Sequence, residues 1–149
     1  MAGEIEHPQP NANWETRGWW EGAGRGELVL QRCRSTGAFQ HKPRGVSAAT
    51  LGDDIEYVVA AGTGTVYTFT VTYQNQAKGF ADACPYVMAY VDLDEGVRVL
   101  TNIVGCDPEE VSIGMAVEVD VAAGERDDGE AFAVPRFRPV GTGSSDGGT

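Results

Sequence analysis

Histidine and cysteine are scarce in this 149-residue chain, and the scarcity removes several kinds of chemistry at once. The two histidines, His7 and His41, are too few and too scattered for the usual histidine-based metal centres or nucleophile triads, and both are expected on exposed loops. The three cysteines, Cys33, Cys84 and Cys106, are odd in number and unevenly spaced. That usage suits reduced thiols in a cytosolic protein better than a disulfide framework, so no disulfide is expected. Cys84 stands beside Pro85 at a strand entry and Cys106 just before a turn; with no histidine nearby, each reads as a small buried residue rather than a nucleophile. No catalytic residue is assigned. Long apolar runs are missing too: none approaches the ~18 residues that span a bilayer. The opening MAGEIEHPQPNAN is acidic and polar where a signal peptide is basic and then apolar, so a cytoplasmic protein without a membrane partner is expected.

Positive charge is the next deficit, with 11 basic side chains against 22 acidic ones and a net charge of −11. Phosphate neutralisation dominates affinity for nucleic acid, so that class of partner is disfavoured. The bases are also unevenly placed. Between residues 17 and 44, Arg17, Arg25, Arg32, Arg34, Lys42 and Arg44 face only Glu21 and Glu27, whereas residues 45–130 hold three bases and 16 acids. The chain is therefore polarised, with its positive charge gathered near the N-terminal end.

What is present divides into five stretches. A chain of this length buries about 70% of its unfolded surface, enough for one domain and an appendage. Residues 1–12 carry His-Pro and Gln-Pro steps without apolar periodicity and read as a flexible N-terminus. Residues 13–27 read as a helical aromatic arm: Asn13 is a capping residue, Trp14, Trp19 and Trp20 follow, and Gly22, Gly24 and Gly26 end the helix. Gly18 weakens a helix already too short to stand alone in water, so the arm must pack on something. The three tryptophans cannot share one narrow stripe, and at least one should project from its own domain, as interface tryptophans do. Residues 28–54 form a turn-rich segment around Cys33 and Gly37, residues 55–140 a β body, and residues 141–149 a flexible glycine-rich tail.

The β body has a definite order. Glu56 to Ala60 reads as a short strand, followed by a glycine kink at Gly62 and Gly64. Next comes a long strand with Thr65, Tyr67, Phe69, Val71 and Tyr73 on one face and Val66, Thr68, Thr70 and Thr72 on the other. YVMAYVDL and VRVLTNIV, joined by Asp94, Glu95 and Gly96, give a hairpin with Val87, Ala89, Val91, Leu93, Val97, Val99 and Ile103 facing inward. The acidic turn at Asp92, Asp94 and Glu95 reads as solvated rather than as a calcium site. A short helix starts at Asp107 with Pro108 at its first position; then Val117, Val119 and Val121 alternate with acids, and a last strand spans Phe132 to Phe137. This order predicts a mainly β protein with a five-stranded OB-fold barrel, with an SH3-like barrel or a small sandwich as the alternatives. Exposed Tyr67, Tyr73 and Tyr90 on such a barrel could stack bases, but its acidity argues against a single-strand nucleic-acid binder.

Six phrases in register carry a resemblance. GELVLQRC, the Pro43-Arg44 step, GTGTVYTFTVTY, PYVMAYVDLDEGVRVLTNIVGCD, IGMAVEVDV and PRFRPV, spread over residues 13 to 140, resemble the DUF35 family. The resemblance implies an N-terminal helical arm, a rubredoxin-like zinc ribbon and an OB-fold barrel. It also implies an acyl-CoA-associated accessory subunit that does no chemistry itself. The partner implied first is a thiolase-fold, lipid-transfer or SCP-x-like subunit of a steroid side-chain-cleaving retro-aldolase. A MaoC-type enoyl-CoA hydratase or a polyketide C-acyltransferase is the alternative. The implied assembly is a heterotetramer, the CoA thioester is substrate of the complex, and no cofactor is held tightly. Carried onto this chain, Trp14, Trp19, Trp20 and Phe39 are candidates for the partner interface or substrate channel. Arg25, Arg32, Lys42 and Arg44 are candidates for contact with CoA phosphates or partner acids.

The family's two CxxC pairs fall here at Cys33 and Thr36 and near Ser47 and Thr50, so one ligand of four remains. Serine and threonine hydroxyls do not replace thiolate or imidazole at a structural zinc, and a degenerate, metal-free ribbon is expected. A structural zinc contributes on the order of 10 kcal/mol to a small module. Its loss has to be offset by packing, here expected through Val29, Leu30, Phe39 and Val46.

Overall fold

The computed structural model describes residues 10–125 and 131–141. His7, residues 126–130 and most of the two ends expected to be flexible lie outside the described residues. No helix among the described residues is long and apolar enough to cross a membrane. The arm forms one helix, α1 (Arg17–Gly24). It begins later than the Asn13 cap predicts, because Asn13 and Thr16 bond to each other instead. The Thr16 N–H donates to Asn13 Oδ1 at 2.9 Å and the Asn13 N–H to Thr16 Oγ1 at 3.0 Å, which closes a separate turn ahead of the helix.

After α1 come β1 (Val29–Cys33), β2 (Phe39–Gln40) and β3 (Ile55–Val59), which form a small antiparallel sheet in the order β2-β1-β3. The strand expected at 56–60 thus closes the ribbon rather than opening the barrel: Val29 pairs with Val59 and Cys33 with Ile55. β1 is buried almost throughout because both of its faces are covered. Val29 lies against Gly22 of α1, while Leu28 and Leu30 join the same apolar core as the barrel.

The barrel is built from β4 (Thr63–Thr72), β5 (Tyr86–Leu93), β6 (Arg98–Ile103), β7 (Ala116–Glu125) and β8 (Ala131–Pro139). It closes in the order β4-β5-β6-β8-β7, with β6 and β8 parallel and the other pairs antiparallel. Long curved strand, hairpin, connecting turn and two further strands in that order make an OB fold, and the chain is mainly β. Gly62 takes a left-handed φ of 79° at the joint between sheet and barrel. Gly64 lets β4 approach β5 so closely that a Cβ there would stand 2.4 Å from the Asp92 carbonyl oxygen.

The uniform two-residue period predicted for the long strand is broken. Val66 pairs with Val91 but Thr68, not Tyr67, pairs with Tyr90, so Tyr67 is the extra residue of a β-bulge. The bulge reverses the phase: Gly64 and Val66 face the core before it, Phe69 and Val71 after it. Tyr67 is thereby turned outward instead of sharing a face with Phe69. Elsewhere the inward pattern is as the hairpin predicts, with Val87, Ala89, Val91, Leu93, Val99 and Ile103 buried around Val117 and Phe137. Asp107 caps the 3₁₀ turn Pro108–Glu110 by accepting the Glu109 N–H at 2.9 Å.

Candidate functional site

The ribbon brings the four former ligand positions to one place and puts a carboxylate between them. Cys33 ends β1, and its carbonyl accepts the Gly37 N–H at 2.8 Å, closing the first loop. The second loop is closed by the Leu51 N–H on the Ser47 carbonyl at 2.8 Å, while buried Ser47 Oγ accepts the N–H groups of Ala49 and Thr50 at 3.2 and 3.3 Å. Asp54 enters from the start of β3. Its Oδ2 accepts from Cys33 Sγ at 3.3 Å and from the Ser35 hydroxyl, and its Oδ1 from Thr50 Oγ1 at 2.5 Å. These bonds, Ser35 first and then Thr50 and Cys33, hold the Asp54 carboxyl well below the usual carboxylate range. The Cys33 thiol is likewise lowered, chiefly by hydrogen bonds with Ser47 and Thr36.

A second element is the contact of the arm with the ribbon. Tyr57 of β3 lies flat against Gly18, where a Cβ would stand 2.4 Å from the ring, and Trp14 lies against Gly45 in the same manner at 2.2 Å. Gly18 and Gly22, one turn apart, are the surface on which the sheet packs. Their cost in helix propensity is offset by this close approach. Above Gly18 and Val29 opens a groove of about 290 Å³, walled by Trp14 and Tyr57 and flanked by Arg17 and Arg25. The loop before Gly45 is fixed by the buried amide of Gln31, which donates to the Arg44 carbonyl and accepts the Arg44 N–H, both at 2.8 Å.

The candidate residues therefore separate. Trp14 is 70% exposed, whereas Trp19 and Trp20 are half-buried and Trp19 packs on the core. Phe39 is half-buried against the core, with the Arg32 guanidinium 5.8 Å from its ring centre. Arg32 is bound to Glu56 at 2.6 Å and Arg25 to Glu27 at 3.4 Å, while Lys42 and Arg44 are exposed. Val46 is 47% exposed and does not hold the ribbon; the Gln31 clasp does that instead. His41 is not an exposed loop residue either. It lies 4.8 Å from the Trp19 ring, and burial, with a smaller effect from the Lys42 charge, pushes its pKa down to about 4. Gln31, Asp54 and Tyr57 escape a reading of the chain because each has a partner far off in sequence: Gln31 meets Arg44 and Tyr57, 13 and 26 residues away, and Asp54 meets Cys33, 21 residues away.

On the barrel's outer face Tyr67, Tyr90 and Leu100 are exposed along the row set by the Thr68–Tyr90–Leu100 pairing. Arg98 sits 3.3 Å over the Tyr67 ring and bridges to Asp92 at 2.6 Å, which lowers the Asp92 carboxyl. The thiols have ordinary roles: Cys84 Sγ donates to the Phe80 carbonyl at 3.4 Å, and burial pushes the Cys106 thiol up.

Comparisons with known proteins match this arrangement module by module. Residues 20–46 match the rubredoxin-like zinc ribbon domain of ChsH2, and residues 57–122 its C-terminal OB-fold domain. A probable enoyl-CoA hydratase alpha subunit of Thermomonospora curvata is 36% identical over 89% of this chain, which spans only 40% of that protein's length. A DUF35 domain-containing scaffold protein of Methanocaldococcus jannaschii is 32% identical, over 83% of this chain and 89% of its own. Among solved structures, a chain of the Ltp2-ChsH2(DUF35) aldolase superposes with a TM-score of 0.76 at 37% identity, over 88% of this chain and 98% of that one. The ribbon family implies a zinc ion, but the donors present do not fit one. Among the described residues no group of three or more His, Cys, Asp or Glu could hold a metal ion, and Asp54 is already engaged by the side chains around it. With ribbon, barrel and near full-length relatives in agreement, the chain belongs to the DUF35 family.

Proposed function

We propose that this chain is a non-catalytic accessory subunit of an acyl-CoA-processing enzyme. Its partner is a thiolase-fold subunit, and the complex cleaves a steroid CoA side chain by a retro-aldol reaction. The observation that carries this reading is the similarity to the DUF35 chain of an aldolase over 98% of that chain, ribbon and barrel together. The partner supplies the reacting groups. This chain supplies the face on which Trp14, the Tyr57 ring and Arg17 border one groove, with exposed Lys42 and Arg44 on the loop beside Trp14. An exposed tryptophan amid guanidinium groups suits a partner surface or the phosphates of a CoA thioester. Trp19 and Phe39, both packed on the core, contribute by holding that face in place.

Similarity to the Thermomonospora hydratase subunit supports a second reading, in which a MaoC-type enoyl-CoA hydratase is the partner. Co-expression of the tagged chain with each candidate enzyme distinguishes the two: the true partner co-purifies with it, and the other does not. Co-purification with neither, from cells making both, rejects the accessory role.

A further inference from the structure

We infer that the Asp54 carboxylate has taken over the structural task of the zinc ion in this ribbon, so that the module folds on a hydrogen-bonded hub rather than on a metal. The zinc of a ribbon ties two loops together through four side chains. Here the first loop offers Cys33 and Thr36 and the second Ser47 and Thr50, a set of one thiol and three hydroxyls. Asp54 ties the same two loops. One carboxylate oxygen takes the Cys33 and Ser35 donors of the first loop, and the other takes Thr50 Oγ1 of the second. The backbone adds to the junction, since the Arg34 N–H donates to the Asp54 carbonyl at 2.8 Å.

The donors and acceptor match without an ion. A carboxylate accepts at several positions, and a thiol and two hydroxyls each supply one hydrogen. Ser47 belongs to the same cluster: its oxygen accepts two amides of its own loop and it hydrogen-bonds Cys33. A zinc ion would need Cys33 as thiolate, and that form has no proton to donate to Asp54. The two arrangements therefore exclude each other. The hub also explains why Ser35 and Asp54, neither of them at a former ligand position, are part of the junction.

The test measures metal content and amide exchange on the full chain. Protein made in zinc-supplemented medium is expected to carry substoichiometric zinc and to keep its melting temperature in EDTA. Asp54→Asn is expected to speed exchange of the Arg34 amide roughly ten-fold or more, since hydrogen bonds to a charged group are being lost. Should that variant not fold, Ser35→Ala and Thr50→Val remove the donors singly and are expected to give smaller, separate accelerations. Cys33→Ser keeps a donor and should leave exchange nearly unchanged. A triple change, Thr36→Cys with Ser47→Cys and Thr50→Cys, restores four thiols. In that background zinc should bind and return slow exchange even with Asp54→Asn. One zinc per natural chain, lost to EDTA together with the fold, would overturn the inference. So would unchanged exchange in Asp54→Asn, or a Cys33→Ser change that unfolds the ribbon.

Discussion

Acidification is expected to loosen the junction between arm and ribbon through His41. This ring lies 4.8 Å from Trp19, and burial, with Lys42 beside it, pushes its pKa from 6.5 down to about 4. The unfolded chain takes up the proton near the ordinary value, so the unfolded state binds more protons throughout the interval between the two. The stability contributed by neutral His41 is therefore complete above pH 6.5, is lost as pH falls towards 4, and declines no further below that. A change in pKa from 6.5 to about 4 corresponds to a loss of about 2 kcal/mol by pH 5 and about 3 kcal/mol by pH 4. Urea unfolding of the natural protein and of His41→Phe, which keeps an aromatic ring beside Trp19, isolates this share, because the carboxylates titrate alike in both. The natural protein should lose about 2 kcal/mol more than the variant between pH 7 and 5. A ring-proton titration by NMR should have its midpoint well below 6.5. Parallel stability curves, or an ordinary histidine midpoint, would refute the burial argument.

Three glycine substitutions probe the packing of the arm and of the barrel. Gly22→Ala improves helix propensity by up to about 1 kcal/mol, yet its Cβ would stand 2.2 Å from Val29 Cγ2, so a net loss of about 1–2 kcal/mol in thermal unfolding is expected. Gly24→Ala, with nothing within 4 Å, should instead stabilise by roughly 0.5–1 kcal/mol; equal effects at the two sites would contradict the packing argument. Gly64→Ala drives a methyl group against the Asp92 carbonyl across the β4–β5 ladder. It should cost about 3 kcal/mol in urea unfolding, and a neutral result would show that the barrel tolerates a wider spacing there.

Features written into neighbouring residues were readable from the sequence. The hairpin around Asp94–Gly96 and the Asp107 cap with Pro108 behind it depend on contacts within a few positions, and they stand where the residue types put them. Features that depend on distant partners were not readable. The bulge at Tyr67 is set by the register between β4 and β5, and no residue in TVYTFTVTY marks it. Gly18 and Gly22 look like helix breakers until Tyr57 and Val29 arrive from strands to occupy the space. His41 resembles a loop residue because its neighbours Lys42 and Pro43 are polar or turn-forming, while the Trp19 ring that shields it lies on the arm. The degenerate CxxC spacing showed where a metal no longer fits. It could not show that Asp54, seven residues after Ser47, stands between the two loops.

The proposed accessory role is tested most directly by titrating a fixed amount of a thiolase-fold aldolase subunit, the partner proposed above, with the purified chain and following retro-aldol cleavage of a steroid acyl-CoA. Neither protein alone should turn over substrate, activity should rise and saturate at a fixed ratio of the two, and the rise should be weaker when Trp14→Ala replaces the natural chain. A partner already fully active before any of this chain is added would contradict the accessory role.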